Sequence, residues 1–223
     1  SQKNASIFTR LKKENYPFVL IDRKLPKLAA NFTVVDNFTG AHEATEQLIK
    51  NGYQKIGLLK ISPTHLSTIV DRELGYRSAL KNNGIRVNNK LIHTINCSDI
   101  RQEVRSVLRE LIQPPHKIDA IFSVNNNITV ACMEYLNEMN IRIPQDLALV
   151  SFDDIDLFRF SYPSITAVAQ PIEKIGEVSV NMLMDEINGV SQDKKQIVLP
   201  VKLVKRRSCG IFANQNGTDV NNE

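Results

Sequence analysis

The chain has 223 residues, of which 42% are hydrophobic and 23% charged, with a formal net charge of +4. This length can bury a substantial core in one large α/β domain or two small lobes, and the composition argues against wholesale disorder. The positive charge is modest and scattered, which argues against a basic nucleic-acid-binding surface; the run Lys205-Arg206-Arg207 reads as a solvated strand end.

In chain order, strand and helix signals alternate. SIFTRLKKENY reads as a helix and leads into an apolar strand, PFVLI, at 17–21. Further strands are expected at 55–61 (KIGLLKI), 91–95 (LIHTI), 118–124 (IDAIFSV) and 147–152 (LALVSF), with helix-period segments between them. In the segment from 127 to 140, Ile128, Cys132, Tyr135, Leu136 and Met139 form one apolar stripe, so Cys132 is expected to be a small buried hydrophobe. A last helix is expected after Gln170, with Pro171 in its first turn and Ile172, Ile175, Gly176, Ser179, Met182 and Leu183 on its inner face. Asn51-Gly52, Asn83-Gly84 and Asn188-Gly189 each follow a helical segment and read as left-handed C-caps. The polar stretch 214–223 is expected to be a flexible tail.

Strand starts recur about every 27 to 36 residues, the length of a βα unit, which predicts parallel sheets with right-handed crossovers. In such sheets ligands bind beyond the carboxyl ends of the strands. The polar residues expected there are Asp22 and Arg23 after the first strand, Arg72 near the helix start that follows the second, and Asn96 after the third. Asn125 follows the fourth, and Asp153, Asp154 and Asp156 follow the fifth. Arginine, asparagine and aspartate together suit a polyhydroxylated ligand, since they supply a donor fork, a mixed group and an acceptor. Each has a plainer alternative: Asn125 could cap the next helix, Asp153 could satisfy loop amides, and Arg72 could pair with a surface acid.

The run Asp153-Asp154-Ile155-Asp156 could also suggest a metal or acid–base site, but the companion lysine and threonine of aspartyl-phosphate chemistry are not evident. Neither a GxSxG elbow nor a glycine-rich phosphate loop is present, and the four histidines show no metal-ligand spacing. The chain therefore reads as a non-enzyme that needs no cofactor and no metal. Three widely spaced cysteines fit a reducing cytoplasm, and no apolar run is long enough for a membrane span.

The stretch IPQDLALVSFDDIDLFRFSYPSITAVAQPIEKIGEVSVNMLMDEING resembles the lactose-repressor (LacI/GalR) family of transcriptional regulators. GAHEATEQLIKNGYQKIGLL, DRELGYRSAL and PFVLIDRKL are similar to further motifs of that family, in the same order, so the likeness runs from about residue 5 to about 210. It implies a periplasmic-binding-protein-like α/β fold of two lobes with parallel sheets flanked by helices, the first lobe incomplete in this chain. Residues 1–39 with 169–199 would form the partial N-terminal lobe, and 40–168 with 200–213 the C-terminal effector-binding lobe.

The resemblance implies a ligand-responsive regulator, a repressor, with a small polar effector in the interlobe cleft: a sugar, sugar acid or sugar phosphate. Arg72, Asn125 and Asp153 match positions that contact effectors in the family, and Asp22, Arg23, Thr68 and Asn96 are further candidates. The implied partners are a second copy of the chain, as a homodimer, and operator DNA through a helix-turn-helix domain that this chain lacks; no membrane partner is implied. The alternative is a periplasmic sugar-binding protein of a transport system, with the same fold. The sequence also departs from the family: Asn126 stands where Asp is frequent, and Cys97 where an aromatic residue stacks on the ligand in many relatives.

Overall fold

The computed structural model describes residues 2–25, 28–190 and 194–210, so the expected tail at 214–223 lies outside the described residues. Two sheets carry the architecture. The smaller is wholly parallel, in the order β1 (Val19–Ile21), β2 (Asn31–Val35), β8 (Gln196–Leu199). The larger has the order β4 (Ile92–Ile95), β3 (Ile56–Ile61), β5 (Ala120–Ser123), β6 (Ala148–Phe152), β7 (Thr166–Ala169), β9 (Lys202–Val204). Its first five strands are parallel; β9 runs antiparallel along β7.

The helices are α1 (Gln2–Lys13), α2 (Asn37–Lys50), α3 (Ser67–Asn82), α4 (Ile100–Leu111), α5 (Asn126–Glu138), α6 (Asp156–Phe160) and α7 (Ile172–Ile187). Local chemistry fixes their ends. Asp36 caps α2 by accepting from the Thr39 amide at 2.9 Å, and Asp99 caps α4 through Gln102 at 3.2 Å. Gly52, Gly84 and Gly189 follow α2, α3 and α7 with φ of +95°, +72° and +67°, the left-handed C-caps expected from the Asn-Gly pairs.

The core lies in the larger sheet. Every residue of β5 and β6 is buried, because helices cover both faces, and these strands accordingly read as unbroken apolar runs. Leu58, Ile121, Phe122 and Val150 are fully inaccessible, each side chain of this kind contributing about 1.5–3 kcal/mol by burial. The smaller sheet is less enclosed. Helix α7 packs on β1 and β2, where Asn31 Nδ2 donates to Glu186 Oε2 at 2.7 Å. β1 and β8 keep exposed residues, among them Ile21 and Val198.

The five strands expected from the sequence lie within two residues of their predicted bounds. β2, β7, β8 and β9 were not foreseen: polar or small residues, such as Asn31 and Thr33 in β2, Thr166 and Ala167 in β7, Gln196 in β8 and Lys202 in β9, weaken their apolar signal. Three helical details differ. Met139 is half exposed, because α5 has ended and residue 139 sits in its C-cap. Pro171 is the N-cap of α7 rather than a first-turn residue. On the same helix Ile172 and Gly176 are exposed, and the buried contacts begin with Ser179 and Met182, since the small sheet lies under only the later turns.

Candidate functional site

The order β4-β3-β5-β6 contains a reversal. The chain steps from β3 outward to β4, then returns to place β5 on the other side of β3. At such a switch point the helices on either side diverge and leave a crevice at the carboxyl ends of the strands. Arg72, in the second turn of α3, sits there. It is 4% exposed, and its guanidinium collects contacts from several strand ends.

Arg72 Nε donates to Asn37 Oδ1 at 2.8 Å, and Nη1 donates to the Val124 carbonyl, just past β5, at 2.5 Å. Nη1 also lies 3.6 Å from Asp153 Oδ2, an ion pair too long to be a hydrogen bond. The planar group stacks 3.6 Å from the centroid of the Phe152 ring. Burial pulls the Arg72 pKa down from its ordinary value, while the carboxylates of Asp153 and Asp22 favour the charged form. A cation held this way, beside a partly exposed carboxylate, offers a ligand a donor and an acceptor at one point.

Close backbone approach makes this geometry possible. Gly75, one turn after Arg72, has no room for a side chain: a Cβ there would run into the Phe38 carbonyl and lie 2.9 Å from both Ala41 Cβ and the His42 amide nitrogen. That contact brings α3 onto α2 and so brings Arg72 to Asn37, the first residue of α2. Asn37 is itself fixed, with Nδ2 donating to the Val35 carbonyl at 3.1 Å.

The other expected residues fall as follows. Asn125 follows Val124 and caps α5, its Oδ1 accepting from the Ile128 amide at 2.9 Å, so the plainer alternative is realised and uses only the acceptor oxygen. Asp153 has φ +70° and accepts from Gln170 Nε2 at 2.5 Å through Oδ1. Asp22, with φ +67°, is paired with its exposed neighbour Arg23 at 2.9 Å and lies close enough for Arg72 to feel its charge. Thr68 is buried in the first turn of α3, next to Ser67, whose hydroxyl accepts from the Lys24 amide at 3.2 Å. Asn96, after the edge strand β4, turns back on its own loop and accepts from the Ser98 amide and hydroxyl, both at 3.1 Å. Thus Arg72, Asn125, Asp153 and Asp22 are brought together, whereas Asn96 is engaged locally.

Asn37, Phe152 and Gln170 are the residues of this site that sequence reasoning missed. Gln170 was legible only as the residue before the last helix, and Asn37 would have needed β2 to be recognised as a strand. Asp154 and Arg206 need a correction. Arg206 is not a solvated strand end: it forms a two-pronged pair with Asp154, at 2.8 and 2.7 Å, with both side chains under 20% exposed. Its guanidinium also donates to the Ile165 carbonyl at 2.6 Å, which holds it in the sheet rather than in water. Of the aspartates that follow β6, then, Asp153 faces Arg72 and Asp154 ties down the chain that follows β9. Among the described residues no cluster of three histidines, cysteines or acids could hold a metal ion, and no helix is long and apolar enough to cross a membrane.

Residues 45–209 match the model of the periplasmic binding protein-like domain. The chain is 28% identical over 199 residues to the probable HTH-type transcriptional regulator EndR of Paenibacillus polymyxa, covering 88% of this chain but only 57% of that protein. Among solved structures, the complex of the transcriptional regulator CelR with cellobiose superposes with a TM-score of 0.80 at 28% identity, covering 89% of this chain and 60% of that one. A LacI family regulator from Enterococcus faecium with bound ribose gives 0.79 at 26% identity, covering 92% and 74%.

Proposed function

The chain belongs to the periplasmic binding protein-like domain family, in the form carried by LacI-type transcriptional regulators, and on that premise we propose that it senses a small polyhydroxylated effector at Arg72, Asn125 and Asp153. The observation that carries the proposal is the buried Arg72 guanidinium, held at the switch point beside the partly exposed Asp153 carboxylate. A sugar's vicinal hydroxyls can accept from the guanidinium and donate to the carboxylate at once. Asp22 and Arg23 extend the same surface, with Thr68 at its border and Asn96 on the far side of β3.

In this reading the six-stranded sheet and its helices form the effector-binding lobe, and the three-stranded sheet with α7 belongs to the opposing lobe. Ligand binding would favour one arrangement of the lobes over the other, and a homodimer would pass that preference to its DNA-binding parts. The chain spans little more than half the length of the curated regulators EndR and CelR, and in this reading operator DNA is bound by a helix-turn-helix part outside the matched stretch. The relatives named above are regulators, which favours this reading over a transport protein of the same fold.

The test is a thermal-shift screen with ribose, cellobiose, gluconate, sugar phosphates and purines. A ligand of the native state raises Tm by mass action, by an increment that grows with its concentration. At least one sugar or sugar derivative is expected to do so in the wild type and to lose the effect in Asp153→Asn. A stabilising ligand whose effect survives that substitution would overturn the assignment.

A further inference from the structure

Beneath the site lie three hydroxyl side chains that effector contact does not use. Ser123 ends β5, Ser151 lies on β6 directly opposite it in the ladder, and Thr129 stands in the first turn of α5. All three have zero accessible surface. Ser123 Oγ is hydrogen-bonded to Thr129 Oγ1, and Thr129 Oγ1 lies 2.7 Å from Ser151 Oγ. Ser151 Oγ in turn lies 2.8 Å from the Phe152 carbonyl and 3.2 Å from that of Asp153.

Each hydroxyl has one proton, which limits how the group can be arranged. The Thr129 hydroxyl also donates to the Asn125 carbonyl at 3.0 Å, an oxygen whose second lone pair accepts the Thr129 amide at 3.2 Å. The Phe152 and Asp153 carbonyls are the acceptors at the far end. Thr129 Oγ1 is therefore the shared member of the group, within hydrogen-bond distance of Ser123 Oγ, Ser151 Oγ and the Asn125 carbonyl, while Ser151 Oγ reaches the Phe152 and Asp153 carbonyls. Buried hydroxyl groups linked in this way reinforce one another, and removing the middle member takes a partner from both neighbours.

The group of hydroxyls ends where backbone support is most needed. Asp153 is in the left-handed region at φ +70°, which is sparsely populated by residues with a Cβ and is stabilised by contacts that fix the backbone. Through its hydroxyl as well as its amide, Thr129 is also tied to the carbonyl of Asn125, the cap of α5, and only the hydroxyl bond is lost on substitution by valine. We propose that Thr129 is a positioning residue that locks Asn125 and Asp153 into one fixed relation across the ends of β5 and β6. This inference rests on the reading of those two residues as effector contacts, but its test needs no effector.

The experiment compares the wild type with Thr129→Val, which keeps the shape and removes the hydroxyl, and with Thr129→Ser, which keeps the hydroxyl. The readouts are the NMR Cα and Cβ shifts of Asp153, which report its φ, and the side-chain amide resonance of Asn125. In Thr129→Val the Asp153 shifts should leave left-handed values or broaden and the Asn125 amide should move, while resonances of Leu58 and Leu59 on β3 stay put. Thr129→Ser should restore both signals. If Thr129→Val does not fold, Ser151→Ala is read by the same signals. Unchanged Asp153 and Asn125 signals in the folded variant would overturn the inference. Failure of the effector reading would show separately, as the absence of any ligand in the thermal screen.

Discussion

Arg72 Nη1 stands 3.6 Å from Asp153 Oδ2, and the same guanidinium is stacked on Phe152, the residue just before that carboxylate. The arginine is thus held by a strand end from two sides, and its planar fork is matched to more than charge. Arg72→Lys keeps the positive charge but cannot reach Asn37 and the Val124 carbonyl together. A ligand identified by the thermal screen should bind this variant at least tenfold more weakly, about 1.4 kcal/mol, by calorimetry. Unchanged affinity would mean that only charge matters at this position.

The close crossing of α2 and α3 predicts opposite outcomes for two glycines. Gly75→Ala forces a Cβ against the Phe38 backbone and should cost about 1–3 kcal/mol in urea unfolding. Gly176→Ala, on an exposed turn of α7 with nothing within 4 Å, should be neutral or stabilising by up to about 1 kcal/mol. Equal effects at the two sites would contradict the packing described for α2 and α3.

Arg206→Ala leaves the Asp154 carboxylate enclosed without its partner. With both groups largely but not wholly buried, the expected loss is about 2–3 kcal/mol, below the range for a fully buried pair. A double-mutant cycle with Asp154→Asn should show strong coupling, and independent effects would return Arg206 to the solvated strand end expected from sequence.

Asp146 supplies a pH prediction with a definite sign. Hydrogen bonds from the Arg142 guanidinium and amide lower its pKa from 3.8 to about 2 in the folded chain. A depressed carboxylate pKa contributes stability that is fully present above the unfolded value and lost as pH falls through the folded one. The contribution should therefore fade between about pH 4 and pH 2, and Asp146→Asn should flatten that part of the stability profile. An NMR titration placing Asp146 near its ordinary value would remove the effect.

The parallel sheets were legible because long apolar runs recur at βα spacing, and the left-handed caps because Asn-Gly follows a helical pattern. The places of Asn125, Asp153 and Asp22 were legible because each follows a strand, and that of Arg72 because a helix start follows β3. What was not legible depends on contacts between segments distant in sequence. Asn37 follows a strand, NFTVV, whose Asn31 and Thr33 interrupt the apolar signal, and nothing in SITAVAQP says that Gln170 will bond to a carboxylate 17 residues earlier. The pairing of Arg206 with Asp154 spans 52 residues, so local composition made a structural ion pair look like a solvated run. The glycine that brings Arg72 to Asn37 could be noticed in LGYRSAL, but its need for a bare backbone is set by α2, not by its neighbours.

The most direct test of the central claim is a crystal structure of the chain with the sugar or sugar derivative that gives the largest thermal shift. The ligand should lie in the crevice beyond β3, β5 and β6, with hydroxyls within about 3.2 Å of the Arg72 guanidinium and the Asp153 carboxylate. A ligand seated elsewhere, with Arg72 and Asp153 still engaged only with each other and their protein neighbours, would contradict it.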